Sequence, residues 1–274
     1  MILEAILAVL GTVGAAYVWE RQIRDRISVR RVSGTGDEDT GGIIELYASL
    51  FPDDGRNYSA EELIEFTAVG LPDRHVRAED IVLAARYHGD VVGFVFCHFY
   101  PERKKAIVSY FGIDRQVVEA RRSAAKKLLR KLAQILSDRQ HACDFLFFDL
   151  LSPDSSASPA ENAERKARPV LFKQSARALD LKAYRFHVQY ECPRISLADG
   201  THEHPLILMC VPLAARLERP VSKQDFLGFL RFIYLDCYGD LYPVNDERFT
   251  AFHEYLRSKL TQYEKSLPDQ IQVS

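Results

Sequence analysis

The run Asp144–Leu151, DFLFFDLL, is apolar apart from Asp144 and Asp149. A strand of that composition belongs at the centre of a sheet, covered on both faces. Ahead of it lies the most periodic helix in the chain, from about Gln116 to Ser137. Val117, Val118, Leu128, Leu129, Leu132, Ile135 and Leu136 fall on one of its faces. The rest of the chain must supply neighbours for that strand, and it does.

Ile27–Val32 alternates apolar and basic residues and reads as a first strand. Ser33–Gly42 is a loop whose Asp37, Glu38 and Asp39 suit the positive end of a following helix over Ile43–Leu50. Its glycines, Gly34, Gly36, Gly41 and Gly42, do not form a phosphate-binding GxGxxG. Ser59 and Glu62 make a capping box for a second helix. Ile81–Tyr87 and Val91–Tyr100 read as a hairpin turned by His88-Gly89-Asp90, and a third strand follows over Ala106–Ile113. After the central strand come a Ser/Pro loop over Ser152–Pro159, a helix from Ala160 or Pro169 to Leu179, and strands at Tyr184–Cys192 and Leu206–Val211. The order β-α-α-β-β-β-α-β-α-β-β implies an α+β fold with a mixed sheet.

The tail differs in character. Ser222 caps a helix carrying Phe226, Phe229, Leu230 and Ile233, and Asn245 caps another carrying Phe249, Phe252, Leu256 and Leu260. So aromatic a pair must bury one face, on the domain or on a second copy in a homodimer. The expected organisation is residues 1–26, an apolar N-terminal helix; 27–215, the sheet domain; and 216–274, a C-terminal helical extension.

Composition removes several classes. The 274 residues are 47% hydrophobic and 27% charged, which excludes whole-chain disorder and a multi-pass membrane protein. A formal charge of −2 gives no general argument for nucleic acid. Cys97, Cys143, Cys192, Cys210 and Cys237 are odd in number and widely spaced, so they read as reduced, mostly buried thiols. From Ile2 to Trp19 the only ionised side chain is Glu4; Tyr17 and Trp19 then precede Arg21, Arg24 and Arg26. The segment reads as a membrane anchor of borderline length with the domain held in the cytoplasm, or as an apolar helix packed on a cytoplasmic protein.

Tyr110-Phe111-Gly112-Ile113 followed by Arg121-Arg122-Ser123-Ala124-Ala125-Lys126-Lys127-Leu128-Leu129 resembles the cofactor motif of the GNAT superfamily, acyl-CoA-dependent N-acyltransferases with the same succession of elements. In that motif, R/Q-x-x-G-x-G/A, N–H groups at a helix start bind the pyrophosphate of CoA. A second segment, Phe186-His187-Val188-Gln189-Tyr190-Glu191-Cys192-Pro193, resembles the V-D-Y-x-x-P of a bacterial branch that also carries C-terminal helices. The resemblance implies a GNAT-like, mainly antiparallel sheet flanked by helices. It implies acetyl-CoA, or another acyl-CoA, as co-substrate, with an unidentified amine as acceptor. Phe111, Gly112 and Ile113 would offer backbone to the pantetheine arm, and Arg121, Arg122, Ser123, Ala124, Ala125 and Lys126 would cradle the phosphates. The family's tyrosine acid falls near Leu179, so the usual proton donor is absent.

Such a transfer needs a base for the amine and an acid for the departing thiolate. Asp149 and Glu102 are the candidate bases; Tyr190 and Tyr184 are the candidate acids. Polar residues at strand ends are more often without any such role. Cys192 lacks a neighbouring His in sequence to activate it. His202 and His204 are the only metal-like pair, in a polar loop without further clustered ligands, and no metal is expected. The cationic helix Arg115–Arg139 suits CoA phosphates, a solvated face or anionic lipid; no nucleic-acid motif accompanies it. The expectation is an acyl-CoA-dependent N-acyltransferase. The alternative is a silent GNAT-fold binding or scaffolding protein acting through its C-terminal helices.

Overall fold

The computed structural model describes residues 23, 26–51, 64–65, 75–138, 140–154, 157–193, 204–242 and 244–274. The apolar run 2–19, the Ser59/Glu62 capping box and His202 lie outside them. Among the described residues no helix is long and apolar enough to cross a membrane.

One sheet organises the chain. Strands β1 (Ile27–Arg31), β2 (Glu79–Tyr87), β3 (Asp90–Tyr100), β4 (Lys105–Ile113), β5 (Phe145–Leu151), β6 (Tyr184–Arg185), β7 (Tyr190–Cys192) and β8 (His204–Pro212) run in the order β1-β2-β3-β4-β5-β8-β6, with β7 also on β8. Every pairing is antiparallel except that of β4 with β5. The β2–β3 turn has positive φ at His88 (54°) and Gly89 (98°), the pair of left-handed residues that matches the twist of a tight hairpin.

Helices cover both faces. On one, α2 (Val118–Ser137) lays Ala120, Ala124, Leu128, Leu132 and Leu136 over Ile81, Leu83, Val95 and Leu146. α3 (Pro159–Arg177) joins it, started by a capping box of Ser158 and Glu161, and its Phe172 packs on Phe148 at 4.4 Å. On the other face α1 (Thr40–Leu50) buries Ile43, Leu46 and Tyr47 over Val82, Phe94 and Phe96. Beside α1, the C-terminal segment covers the β5–β8 half. Helix α4 (Lys223–Arg231), a π-helical turn (Phe232–Cys237), a 3-10 turn (Tyr238–Leu241) and α5 (Phe249–Ser266) share one core with Phe147, Tyr190, Leu208 and Cys210. The tail's aromatic face is therefore spent on the sheet, the first of the two destinations expected for it. Strands β9 (Val221–Ser222) and β10 (Gln270–Ile271) close that segment.

Several expectations shift. The strand expected over Tyr184–Cys192 is interrupted. Phe186 donates its N–H to Leu208, but the next N–H, of His187, turns to Gln272, so the chain changes partner. Ser222 caps α4 through the Asp225 N–H as expected, whereas α5 starts only at Phe249 and takes no cap from Asn245. Asp37 and Asp39 serve ion pairs and not the helix end. Asp39 is fully buried between Arg30 and Arg86. The backbone N–H groups of Ser33 and Asp39, with Arg30, hold Asp37 at about 2, overcoming burial.

Candidate functional site

The parallel pairing of β4 with β5 runs Lys105↔Phe145, Ala106↔Leu146, Ile107↔Phe147 and Val108↔Phe148, and there it ends. Beyond that point Ser109–Ile113 and Asp149–Leu151 continue as strands without pairing to each other, while β4 stays on β3 and β5 stays on β8. A β-bulge causes the parting. Cys97 opposes Val108 and Phe96 opposes Tyr110, so Ser109 is the extra residue and bends β4 away. The result is a wedge in the middle of the sheet, lined by unpaired backbone.

Four antiparallel strands and a helical crossover into a parallel neighbour make the mixed, mainly antiparallel sheet that was expected, and the structure adds a seam that opens at a bulge. The fold is GNAT-like. No protein-family model matches the chain, and no curated protein matches it by sequence. Solved structures align with it in shape. An aminoglycoside 6'-N-acetyltransferase from Enterococcus faecium aligns at 14% identity over 70% of this chain and 99% of its own, with a TM-score of 0.44. An aminoglycoside 6'-N-acetyltransferase complexed with coenzyme A aligns at 15% identity over 70% and 99%, with a TM-score of 0.44. The ribosomal-protein-S18-alanine N-acetyltransferase from Escherichia coli aligns at 12% identity over 70% and 97%, with a TM-score of 0.42. The GNAT-like description rests on the strand order and the seam, not on these likenesses.

Asp149 is the first residue of β5 past the seam. Its Oδ2 accepts hydrogen bonds from Tyr190 (3.4 Å) and Tyr238 (3.3 Å), whereas its buried Oδ1 accepts none. Burial pushes the carboxyl up to about 7, against the two phenols that favour its charged form. Both phenols are themselves driven well above 10, Tyr190 by burial and then the Asp149 charge, Tyr238 by burial and then Cys192 and Asp149. They are donors here and poor acids.

Tyr238 was not legible as a site residue, because the six-residue π-helical turn before it breaks the helical spacing. The same segment braces β7. Tyr234 donates to the Glu191 carbonyl at 2.5 Å, Tyr263 of α5 accepts the Glu191 N–H at 3.1 Å, and Lys259 pairs with the Glu191 carboxylate at 2.9 Å. The C-terminal segment thus holds both tyrosines against Asp149.

The other expected residues are placed differently. Glu102 is exposed in a 3-10 turn between β3 and β4, at the end of the sheet where β4 and β5 are still paired. It is carried away from Asp149 because the β3–β4 connection lies at the opposite end of the strands from the wedge. Tyr184 pairs with Cys210 across β8 and carries the Arg219 guanidinium 5.2 Å from its ring. It lines a cavity of about 820 Å³ with Lys182, Arg216 and Arg219, separate from the wedge.

Phe111 and Ile113 line the wedge strand and are half-buried. Gly112 has a packing reason to be small, since a Cβ there would come within 2.6 Å of the Phe94 ring. The helix start lies earlier than the motif suggested. α2 begins at Val118, and the Arg121 N–H already bonds the Val117 carbonyl at 3.0 Å. Arg121–Lys126 therefore sit beyond the first N–H groups of the helix, with Ser123 and Ala124 buried, Ala125 and Lys126 half-buried, and Arg121 and Arg122 exposed. The loop that feeds the helix, Asp114–Val117, contains no glycine. Asp114 accepts the Gln116 N–H at 2.8 Å, and Glu119 stands in the first turn. Among the described residues no three His, Cys, Asp or Glu side chains group as a metal site.

Proposed function

We propose that this chain moves an acyl group from an acyl-CoA to an amine by direct attack within the β4–β5 wedge. The observation that carries the reading is Asp149, whose partner-free Oδ1 is buried where the seam opens. Unpaired backbone along Ser109–Ile113 would take the amides of the pantetheine arm as a strand takes a neighbour. Arg115, Arg121 and Arg122 would face the phosphates.

In the reaction the amine nitrogen attacks the thioester carbon, and the proton it sheds passes to Asp149 Oδ1. The C–S bond then breaks and the thiolate recovers that proton. A carboxyl near 7 suits both halves, because it accepts from a newly acylated ammonium and is a stronger acid than a thiol of about 8.5. Tyr190, expected as the acid, is assigned instead to holding Asp149.

Calorimetric titration of acetyl-CoA and CoA into the full chain tests the reading, alongside Val118→Glu. Val118 is 75% exposed at the helix start, so the added charge repels phosphate without disturbing the core. Micromolar binding that the variant weakens about tenfold, with amine-dependent CoA release lost in Asp149→Asn, supports it. Absence of binding by the folded chain overturns it. Asp114 and Glu119, two carboxylates where phosphates would approach, favour a second reading as a binding protein that has lost its cofactor. Membrane attachment through residues 2–19 belongs to the same proposal; deletion of residues 1–20 should release the protein from the membrane fraction, and retention would rule the anchor out.

A further inference from the structure

Three side chains that the acyltransferase reading does not use form a row across β2, β3 and β4. Asp80 lies opposite His98 in the β2–β3 register, and its Oδ1 is 2.5 Å from His98 Nδ1. On the other side of the ring, His98 Nε2 is 3.1 Å from Ser109 Oγ. The carboxylate can only accept, so Nδ1 carries a proton, and in the neutral ring Nε2 presents its lone pair to the serine hydroxyl. The Asp80 carboxylate is nearly buried, at 5% exposure, and the ring half-buried, at 19%, while Ser109 is exposed. The hydroxyl's one proton has an alternative acceptor in the Phe96 carbonyl at 3.3 Å, and the group is not covered.

Ser109 is also the bulge residue at the mouth of the wedge, and a bulge leaves its extra residue outside the ladder. Nucleophile, base and orienting carboxylate thus follow one another in hydrogen-bond contact, the arrangement by which a hydroxyl is activated for acyl transfer.

We propose that Ser109 and His98 are catalytic residues of an acyl-ester and thioester hydrolysis, with Asp80 positioning the imidazole. Ser109 Oγ attacks the acyl carbonyl carbon as its proton passes to His98 Nε2. The carbon–leaving-group bond breaks, and the thiol or alcohol departs with that proton. Water then attacks the acyl-serine, gives one proton to His98 and releases the carboxylic acid, and Oγ takes the proton back. The sum is ester plus water giving acid plus alcohol, or thioester plus water giving acid plus thiol. The activity requires no CoA site, so it stands or falls apart from the acyltransferase reading.

The test uses p-nitrophenyl acetate on the full chain, with intact-mass and peptide mass spectrometry. The expected result is a burst of p-nitrophenol and an acetyl group on the peptide carrying Ser109. Both should be abolished in Ser109→Ala, a surface change that leaves the thermal midpoint unaltered. His98→Gln should slow turnover on the order of 100-fold or more. Asp80→Asn should lower kcat with KM unchanged, since it removes the anion that selects the tautomer, and Asp80→Glu should recover part of the rate. No acetyl group on Ser109 of the folded wild-type protein, or an equal rate in Ser109→Ala, overturns the proposal.

Discussion

Ser109 and Asp149 stand on opposite sides of the opening of the sheet: each is the residue immediately after the last parallel pair, Val108 with Phe148. The bulge puts Ser109 on the face that carries His98, and alternation along β5 puts Asp149 on that same face with Tyr190 and Tyr238. The bonds each makes run away from the wedge, toward β3 for Ser109 and toward β7 and the C-terminal segment for Asp149. One opening therefore has a reactive oxygen on either side.

Asp149 should make stability fall as pH rises. Its folded value, about 7, lies above the ordinary carboxylate value of roughly 3.9, so the unfolded chain loses its proton first. The associated stability is fully present below the unfolded value and is lost as pH climbs through the folded one. Between pH 5 and pH 8 the contribution lost is on the order of 2–3 kcal/mol. Urea unfolding of wild type and Asp149→Asn at those two pH values should show the variant gaining by that difference. Parallel pH profiles for the two proteins would refute the assignment.

Tyr238→Phe removes a donor that favours the ionised carboxylate, so the Asp149 titration should move further upward. Carbon-13 NMR of labelled aspartate, recorded without any acyl donor, reads this directly. Tyr190→Phe should act in the same direction. The groups near the carboxylate are Tyr190 and Cys192 on β7 and Cys237 and Tyr238 from the turns, with no cation among its hydrogen-bond partners. An unshifted midpoint in a folded Tyr238→Phe protein would show that the 3.3 Å contact does not form in solution.

Phe226 is fully buried against Phe186 at 5.1 Å, and Phe229 lies 5.2 Å from Phe147 of the central strand. Residues 216–274 therefore unfold with the sheet. Phe226→Ala should cost about 3–5 kcal/mol in urea unfolding, and far-ultraviolet and near-ultraviolet signals should change together. An early, separate transition for the helices would mean that the tail folds independently.

The sheet and most helices were readable because their signals are local. The β-rich apolar runs of β2 and β3, the turn at His88-Gly89, and the four-residue spacing along α2 each decide their element without reference to the rest. The site was legible only in part. Asp149 stood out as a carboxylate in an apolar strand. Its partner Tyr238 follows a π-helical turn, and the Asp80–His98–Ser109 row depends on strand register and on one extra residue in β4, which no composition window contains. The periodicity placed the start of α2 at about Gln116, close to the observed Val118, whereas the small residues at Ser123–Ala125, taken for a phosphate cradle, lie a turn further on, where Ser123 and Ala124 are buried. Glu102 and Tyr184 were grouped with Asp149 by chemistry alone, and the chain direction of β4 and the pairing of β6 separate them from it.

His75 and His253 should titrate in opposite directions from 6.5. Burial lowers His75, but the Asp240 hydrogen bond and charge, with the Leu235 carbonyl and Asp236, outweigh it, so its value is raised. The ring sits 2.8 Å from Asp240 Oδ1 and 4.8 Å, edge on, from the ring of His253. His253 is lowered, by burial first and then by the charge on His75, although it bonds the Gly239 carbonyl at 3.2 Å. For His75 the stabilisation is complete below the unfolded value and fades as pH rises through the raised one; for His253 stability is instead lost as pH falls through the unfolded value. The contact ties the segment before β2 to the turn that carries Tyr238, so it braces the candidate site from outside. Proton NMR of the imidazoles should find His75 titrating above His253, and Asp240→Asn should lower His75. Equal midpoints in the wild-type protein would mean that the Asp240 pairing is not made.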